Sequence, residues 1–79
     1  MKDFYIEETI PDVAYIIQWR GQDIEKGLQE LYRLGQERSN RFELWVEGWA
    51  ETEKGYAPLA FSHKGKTKIS HSCNFLFRN

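Results

Sequence analysis

The chain has 79 residues, a formal net charge of −1, three tryptophans and one cysteine. This length fits one small domain, and aromatic residues along the whole chain exclude a disordered protein, which typically has few of them. One cysteine excludes an internal disulfide, as expected in a reducing compartment. No apolar run resembles a signal peptide or a membrane span. We therefore expect a cytoplasmic, single-domain protein over residues 1–79 that has no contact with a membrane.

The charges are distributed unevenly along the chain. Residues 1–53 contain all twelve carboxylates and six basic side chains, for a net charge of −6. Residues 54–79 contain five basic side chains and no acid. Such a split bears on partners and association rather than on fold. It allows a homodimer in which the acidic part of one copy contacts the basic part of another.

Two short strands are predicted near the N-terminus. Residues 4–6 are β-prone, and residues 7–12, which include Pro11, are expected to end that strand. Residues 13–19 then alternate in the strand sense, with β-branched and aromatic side chains that favour a sheet. The alternation predicts one face formed by Val13, Tyr15, Ile17 and Trp19.

A helix is predicted over residues 24–36. Asp23 is a suitable N-cap, because its carboxylate can accept from backbone N–H groups of the first turn. Gly27 lies near the edge of the apolar stripe, where glycine costs about 0.8–1 kcal/mol relative to alanine unless something packs closely there. The predicted stripe consists of Ile24, Leu28, Leu31, Tyr32 and Gly35.

Residues 41–51 show the clearest strand alternation, followed by a hairpin loop at 52–55 and a return strand at 56–63. Pro58 cannot donate to a ladder, so the return strand is expected at a sheet edge or bulged at this point. Residues 67–78 fit a helical stripe and a strand equally well. The predicted fold class is α+β: a small antiparallel sheet with one main helix packed on one face.

A candidate partner-binding surface lies on one side of strand 41–51. Tryptophan is enriched at interface hot spots, and here two indoles alternate with three carboxylates. The alternative is that the indoles pack over the hairpin as part of the core. The predicted surface consists of Glu43, Trp45, Glu47, Trp49 and Glu51.

A candidate nucleic-acid site is the basic segment 64–68, which contains Lys64, Lys66 and Lys68. Lysines at a phosphate backbone give salt-dependent binding with little base specificity. The alternatives are a solvated loop whose charge offsets the acidic half, or a site for an acidic protein.

The residues give little support for catalysis or for a cofactor. Glu43 and Glu47 lie about 13 Å apart at Cα on a strand, which is wide for a catalytic carboxylate pair. His63, His71 and Cys73 match no standard zinc spacing. Cys73 and His71 make a poor nucleophile pair, because they would need a third orienting group and a pocket. We therefore expect a non-enzymatic protein with no catalytic residues, no metal and no cofactor.

The segment WVEGWAETE at residues 45–53 is similar to the central strand of short phage-type open reading frames with a strand–helix–hairpin layout. In size, layout and acidic first half, the chain resembles small phage-encoded inhibitors of bacterial defence systems, anti-CRISPR proteins among them. The resemblance implies a mode of action, which is occlusion of a surface on a large nucleoprotein complex. It assigns no target and no functional residue. A small nucleic-acid-binding protein and a self-associating adaptor are the alternatives.

Overall fold

The structure is a computed structural model that describes residues 3–48 and 58–69. It contains a five-stranded antiparallel sheet with the strand order β2-β1-β3-β4-β5 and one helix packed across one face, so the predicted α+β class is confirmed. In chain order the elements are β1 (Phe4–Ile10), β2 (Ala14–Gly21), α1 (Ile24–Glu37), β3 (Arg41–Val46), β4 (Ala60–His63) and β5 (Lys66–Ile69).

Strand β1 is longer than the sequence predicts. It continues through residues 7–10, pairing with β2 on one side and β3 on the other. Glu8 lies inside the protein with 1% of its surface exposed, and it accepts hydrogen bonds from Gln18, Arg38 and Asn40. The expectation that residues 7–12 end the strand is therefore wrong, because pairing on both sides and these donors compensate for the poor strand propensity of glutamate.

A β-bulge in β2 changes the predicted alternation. Ile6 pairs with Trp19, but the next residue of β1, Glu7, pairs with Ile17. Gln18 is thus the extra residue, and Trp19 and Ile17 lie on opposite faces of the sheet. The prediction that Trp19 shares a face with Ile17 is wrong for this reason.

The helix is confirmed with its N-cap: the Asp23 carboxylate accepts from the backbone N–H groups of Glu25 and Lys26 at 2.9 and 3.4 Å. The buried stripe is rotated relative to the predicted one. Tyr32 is 58% exposed, so its assignment to the stripe is wrong. The fully buried helix positions are Gly27, Leu31, Leu34 and Gly35.

The core lies between α1 and one face of the sheet. Even-numbered residues of β1, β3 and β4 point toward the helix, and all of them except Ile10 at the end of β1 are buried. The indole of Trp19 packs against this cluster from β2, and a Cβ added to Gly27 would lie 3.1 Å from the ring. The sequence predicted that something must pack closely against Gly27 to offset the cost of a glycine in the helix, and the Trp19 ring does so. The core cluster consists of Phe4, Ile6, Leu31, Leu34, Phe42, Leu44, Val46, Leu59 and Ala60.

The second half of the sheet differs from the prediction in two ways. Strand β3 ends at Val46 and is followed by a turn with Gly48 at φ 80°, while residues 49–57 lie outside the described part. Strand β4 lies between β3 and β5, and Pro58 precedes it. The predicted edge position of this strand is wrong, because β4 lies between β3 and β5. The alternative, a bulge at Pro58, stays a prediction: the chain bonds to β3 from Leu59, whose N–H donates to Leu44 O at 2.8 Å, and the residues before Pro58 lie outside the described part.

The basic segment 64–68 is a hairpin end rather than a loop. Lys64 and Gly65 both have positive φ, 54° and 79°, as a two-residue type I′ turn requires. Lys66–Ile69 then forms β5, so the ambiguous segment 67–78 begins as a strand, and residues 70–78 lie outside the described part. In residues 3–48 and 58–69, no helix is long and apolar enough to cross a membrane.

Candidate functional site

The face of the sheet turned away from α1, here called the distal face, carries the odd-numbered residues of β1 and β3. Cross-strand pairing places Ile17, Glu7, Glu43, Phe61 and Lys68 in one row across all five strands. The row changes from apolar to acidic, then to aromatic and finally to basic. The distal face is therefore polarised across the strands, in a way that the net charge of the chain does not indicate.

Two carboxylates occupy the middle of this row. Glu7 of β1 lies directly opposite Glu43 of β3, an arrangement in which like charges destabilise a sheet. Partial burial, together with the neighbouring Glu43 charge, raises the pKa of Glu7 above its ordinary value of 4.5. The negative charge of Glu43 is partly compensated, because its carboxylate accepts a hydrogen bond from Arg41 Nε at 3.0 Å. Within the described part of the chain, no cation pairs with Glu7, so the repulsion falls mainly on this residue.

The two carboxylates line a pocket of about 330 Å³. We call it the acidic pocket. The Trp45 side chain is buried at 7% exposure, whereas Tyr15 at the edge of the sheet is 66% exposed. The pocket therefore combines two acids with two aromatic side chains. Its lining residues are Glu7, Tyr15, Glu43, Trp45 and Pro58.

The sequence-predicted partner surface is only partly assembled here. Glu43 and Trp45 lie in the acidic pocket, but the burial of Trp45 makes it part of the sheet surface rather than a projecting anchor. Glu47 lies beyond β3 and pairs with Arg20 Nη1 at 3.2 Å. Trp49 and Glu51 lie outside the described residues.

Sequence reasoning missed Glu7 and Tyr15 as members of one site. The period-two alternation that assigns Glu43 and Trp45 to one face would also have assigned Glu7, had β1 been extended beyond Ile6. Tyr15 was predicted on a strand face, but its proximity to Glu43 depends on the order β2-β1-β3. That order is a tertiary property with no local signal in the chain.

The predicted nucleic-acid residues come together at the other side of the distal face. Lys66 pairs with His63 across the β4–β5 hairpin, and Lys68 pairs with Phe61. The Arg41 guanidinium lies over the Phe61 ring, 4.3 Å from its centroid, so the ring has a cation on it already. Residues 60–69, here called the basic hairpin, therefore offer exposed lysines next to an aromatic ring.

Lys64 lies apart from these residues, in the turn of the basic hairpin. It lines a second, shallower pocket of about 400 Å³ between that turn and the end of α1. Gln36 Nε2 donates to Gly65 O at 3.3 Å across this gap, and Arg38 on its other side is held by Glu8 at 2.7 Å. The three predicted lysines thus do not form one site, since Lys64 lies apart from the distal face that carries Lys66 and Lys68.

Within the described ranges, no three His, Cys, Asp or Glu side chains are grouped so as to hold a metal ion. His71 and Cys73 lie outside these ranges. What the acidic pocket offers chemically is electrostatic: a cation entering it would relieve the Glu7–Glu43 repulsion and would contact aromatic rings. Neither a protein-family profile, nor a curated protein, nor a solved structure matches this chain.

Proposed function

We propose that the protein is a non-enzymatic protein-binding module whose acidic pocket receives a lysine or arginine side chain of its partner. The observation that carries this proposal is the direct opposition of Glu7 and Glu43 beside Trp45 and Tyr15. Two adjacent carboxylates are unfavourable in the free protein, and a partner cation would turn that repulsion into attraction. Binding energy is thus available at this point of the sheet.

The chemistry of the pocket favours a basic partner surface. An ammonium or guanidinium group between the carboxylates would gain charge-assisted hydrogen bonds, and its aliphatic stem would contact the tryptophan and tyrosine rings. Surfaces that hold nucleic acid are rich in such side chains. The partner class that fits is therefore a nucleic-acid-handling protein or nucleoprotein complex.

On this proposal the protein works as an inhibitor of the phage or mobile-element type, resembling anti-CRISPR proteins in mode of action. An acidic surface that occupies a basic groove excludes nucleic acid by competition, because it offers the same charge. No chemical step is required. This account assigns roles to Glu43 and Trp45 in the pocket, and Glu47, just beyond the end of β3, would extend the same contact.

The test is an affinity pull-down from host lysate with and without nuclease, identified by mass spectrometry, using wild type and the double variant Glu7→Gln/Glu43→Gln. We expect a nuclease-resistant partner that the double variant recovers at least tenfold less well. Glu25→Gln is the matched control, because it removes an exposed acid on α1, away from the pocket. Equal recovery by all three proteins would exclude the acidic pocket as the binding site.

A second candidate function is nucleic-acid binding by the basic hairpin. It is favoured by Lys66, Lys68 and His63 lying on the same face as Phe61. This candidate predicts that single-stranded oligonucleotides bind, that affinity falls steeply with salt, and that Lys66→Glu/Lys68→Glu abolishes binding. Binding of equal strength by that variant would exclude the hairpin.

Charge-driven self-association is a third candidate, because the distal face carries acidic residues toward one side and basic residues toward the other, with Glu43 and Lys68 separated by Phe61. A homodimer of this kind would act as an adaptor. It would dissociate as salt screens the charges, and a protein that is monomeric at low ionic strength would contradict it.

A further inference from the structure

Among the strands of residues 3–48 and 58–69, β2 forms one edge of the sheet, and this strand and the preceding Val13 leave large apolar side chains in solvent. The exposed fractions are 72% for Val13, 66% for Tyr15, 42% for Ile16 and 41% for Ile17. Tyr15 and Ile17 lie on the distal face, whereas Ile16, opposite Glu8, points to the helix side. The outer backbone N–H and C=O groups of an edge strand are a template for pairing with another strand, and exposed apolar side chains on both faces favour that pairing.

The two edges of the sheet differ in how they are protected against pairing. The β5 edge carries Lys66 and Lys68, and an antiparallel pair of β5 strands centred on Thr67 would place these lysines opposite each other. Lysines of this kind are a common device against edge-to-edge association. Residues 14–18 of β2 contain neither a charge nor a proline. The β-bulge at Gln18 interrupts this edge only at the end of that segment, so residues 14–17 remain open to pairing.

The sequence of β2 is complementary to itself in antiparallel pairing. If two copies pair about a twofold axis at Ile16, that residue meets its own equivalent, Tyr15 meets Ile17, and Ala14 meets Gln18. Because the pleat repeats every two residues, each of these pairs lies on a single face of the joined sheet. Apolar side chains meet apolar side chains throughout the centre, and no like charges are opposed.

We infer that the protein forms a homodimer through its β2 edge, with the strand of a second copy paired antiparallel about Ile16. The twofold arrangement closes on itself, whereas a β2-to-β5 contact would leave free edges and extend into a fibre. The short interface, five residues on each strand plus the flanking Val13, is small beside the standard size, so a micromolar dimer is expected.

This inference goes beyond the proposed function, and the two have separate tests. In the dimer, both acidic pockets would lie on the same face of one continuous sheet. Each pocket would have its Tyr15 beside Ile17 of the second copy. A partner would then meet two pockets instead of one. The dimer can be tested without any partner, so loss of partner binding does not bear on it.

The experiment is sedimentation equilibrium of the full chain from low-micromolar to high-micromolar concentration, at low and at high salt. We expect the mass to rise from 9.4 kDa toward twice that value, and to do so equally well at high salt, because the contact is apolar. Ile16→Lys should remain monomeric at every concentration. Thr67→Lys, the matched change on the other edge strand, should dimerise like wild type.

A monomer at all concentrations would overturn the inference, as would a dimer that Ile16→Lys leaves intact. A dimer that dissociates in salt would point instead to the charged surfaces. Circular dichroism checks that Ile16→Lys is folded. If it is not, hydrogen exchange on wild type replaces it: amides of residues 14–18 must gain protection with protein concentration, and unchanged protection would overturn the inference.

Discussion

Gly35 of α1 lies directly against Ser62 of β4, with no room for a side chain between them. A Cβ placed on Gly35 would overlap Ser62 Oγ and would lie 2.9 Å from Ser62 Cβ. Both residues are buried, and the hydroxyl has no hydrogen-bond partner among the described residues. This contact determines how closely the C-terminal half of the helix approaches the sheet.

The first prediction concerns this contact. Gly35→Ala is expected to lower the free energy of unfolding by about 1–3 kcal/mol, the usual cost of overpacking a core, although alanine is the better helix former. Chemical denaturation monitored by tryptophan fluorescence measures the change. Adding Ser62→Gly should recover part of the loss, since it removes both atoms that the new methyl group would meet. No recovery would show that the strain arises elsewhere.

Trp19 and Gly27 are expected to be energetically coupled. The indole lies 3.1 Å from the position of a Cβ on Gly27, so Gly27→Ala gains helix propensity but pushes against the ring. In wild type these effects oppose each other, and the change in stability should be zero or unfavourable. In a Trp19→Ala background the ring is absent and the end of the Leu44 side chain, with Cδ1 3.2 Å from the new Cβ, can move into the space it leaves. Gly27→Ala should then stabilise the protein by up to about 0.8–1 kcal/mol.

A double-mutant cycle on thermal or urea unfolding measures this coupling. Trp19→Ala alone should cost about 3 kcal/mol, the low end of the range for tryptophan, because the side chain is only partly buried. Additive effects of the two substitutions would mean that the indole does not fill the space next to Gly27.

The hydrogen bonds that the buried Glu8 carboxylate accepts predict that a half-exposed arginine contributes to the free energy of unfolding. Arg38, the C-cap residue of α1, donates to the buried Glu8 carboxylate at 2.7 Å. Arg38→Ala should cost about 1.5–3 kcal/mol, as hydrogen bonds to charged groups do, because among the described residues it leaves the carboxylate with Gln18 and Asn40 alone as donors.

The control for Arg38→Ala is Arg33→Ala, which removes an arginine whose partners Glu30 and Glu37 are on the same exposed helix face. Exposed pairs of this kind contribute only about 0.3–0.5 kcal/mol. Denaturant midpoints of the two variants should therefore differ clearly. Equal costs would mean that burial of Glu8 does not strengthen its ion pair.

The parts of the fold that sequence predicted are those specified locally. Asp23 followed by an amphipathic stripe defines α1 within about four turns of chain, and the alternation from Phe42 to Val46 defines β3. The Lys64-Gly65 turn is equally local, but it was not predicted, because residues 64–68 were interpreted as a basic segment. In these cases propensity, spacing and charge are properties of neighbouring residues.

The parts that sequence missed depend on contacts between distant residues. Glu8 is tolerated inside β1 because Arg38 and Asn40, thirty or more positions away, reach it. The bulge at Gln18 is visible only once β1 and β2 are paired. The acidic pocket needs β2, β1 and β3 side by side, so Glu7 and Tyr15 gave no signal by themselves. The sequence placed Tyr32 in the buried helix stripe for the same reason, because the way the helix lies on the sheet decides which of its residues are buried.

The last prediction concerns the pH dependence of stability at Glu7. Burial and the Glu43 charge raise the pKa of Glu7 in the folded protein above its ordinary value of 4.5. Between the ordinary and the raised value, the folded state binds more protons than the unfolded state, so the free energy of unfolding falls as the pH rises through this window. Above the window the charged carboxylate destabilises the fold.

Glu7→Gln should therefore raise the melting temperature at neutral pH, and the difference should vanish as the pH falls to 4.5 and below. Calorimetry of wild type and variant across this range measures the effect, with Glu25→Gln as a control that should not raise the melting temperature. A melting temperature of Glu7→Gln at or below that of wild type at neutral pH would mean that the Glu7–Glu43 repulsion is already compensated, and the acidic pocket would then have no unfavourable charge for a partner cation to relieve.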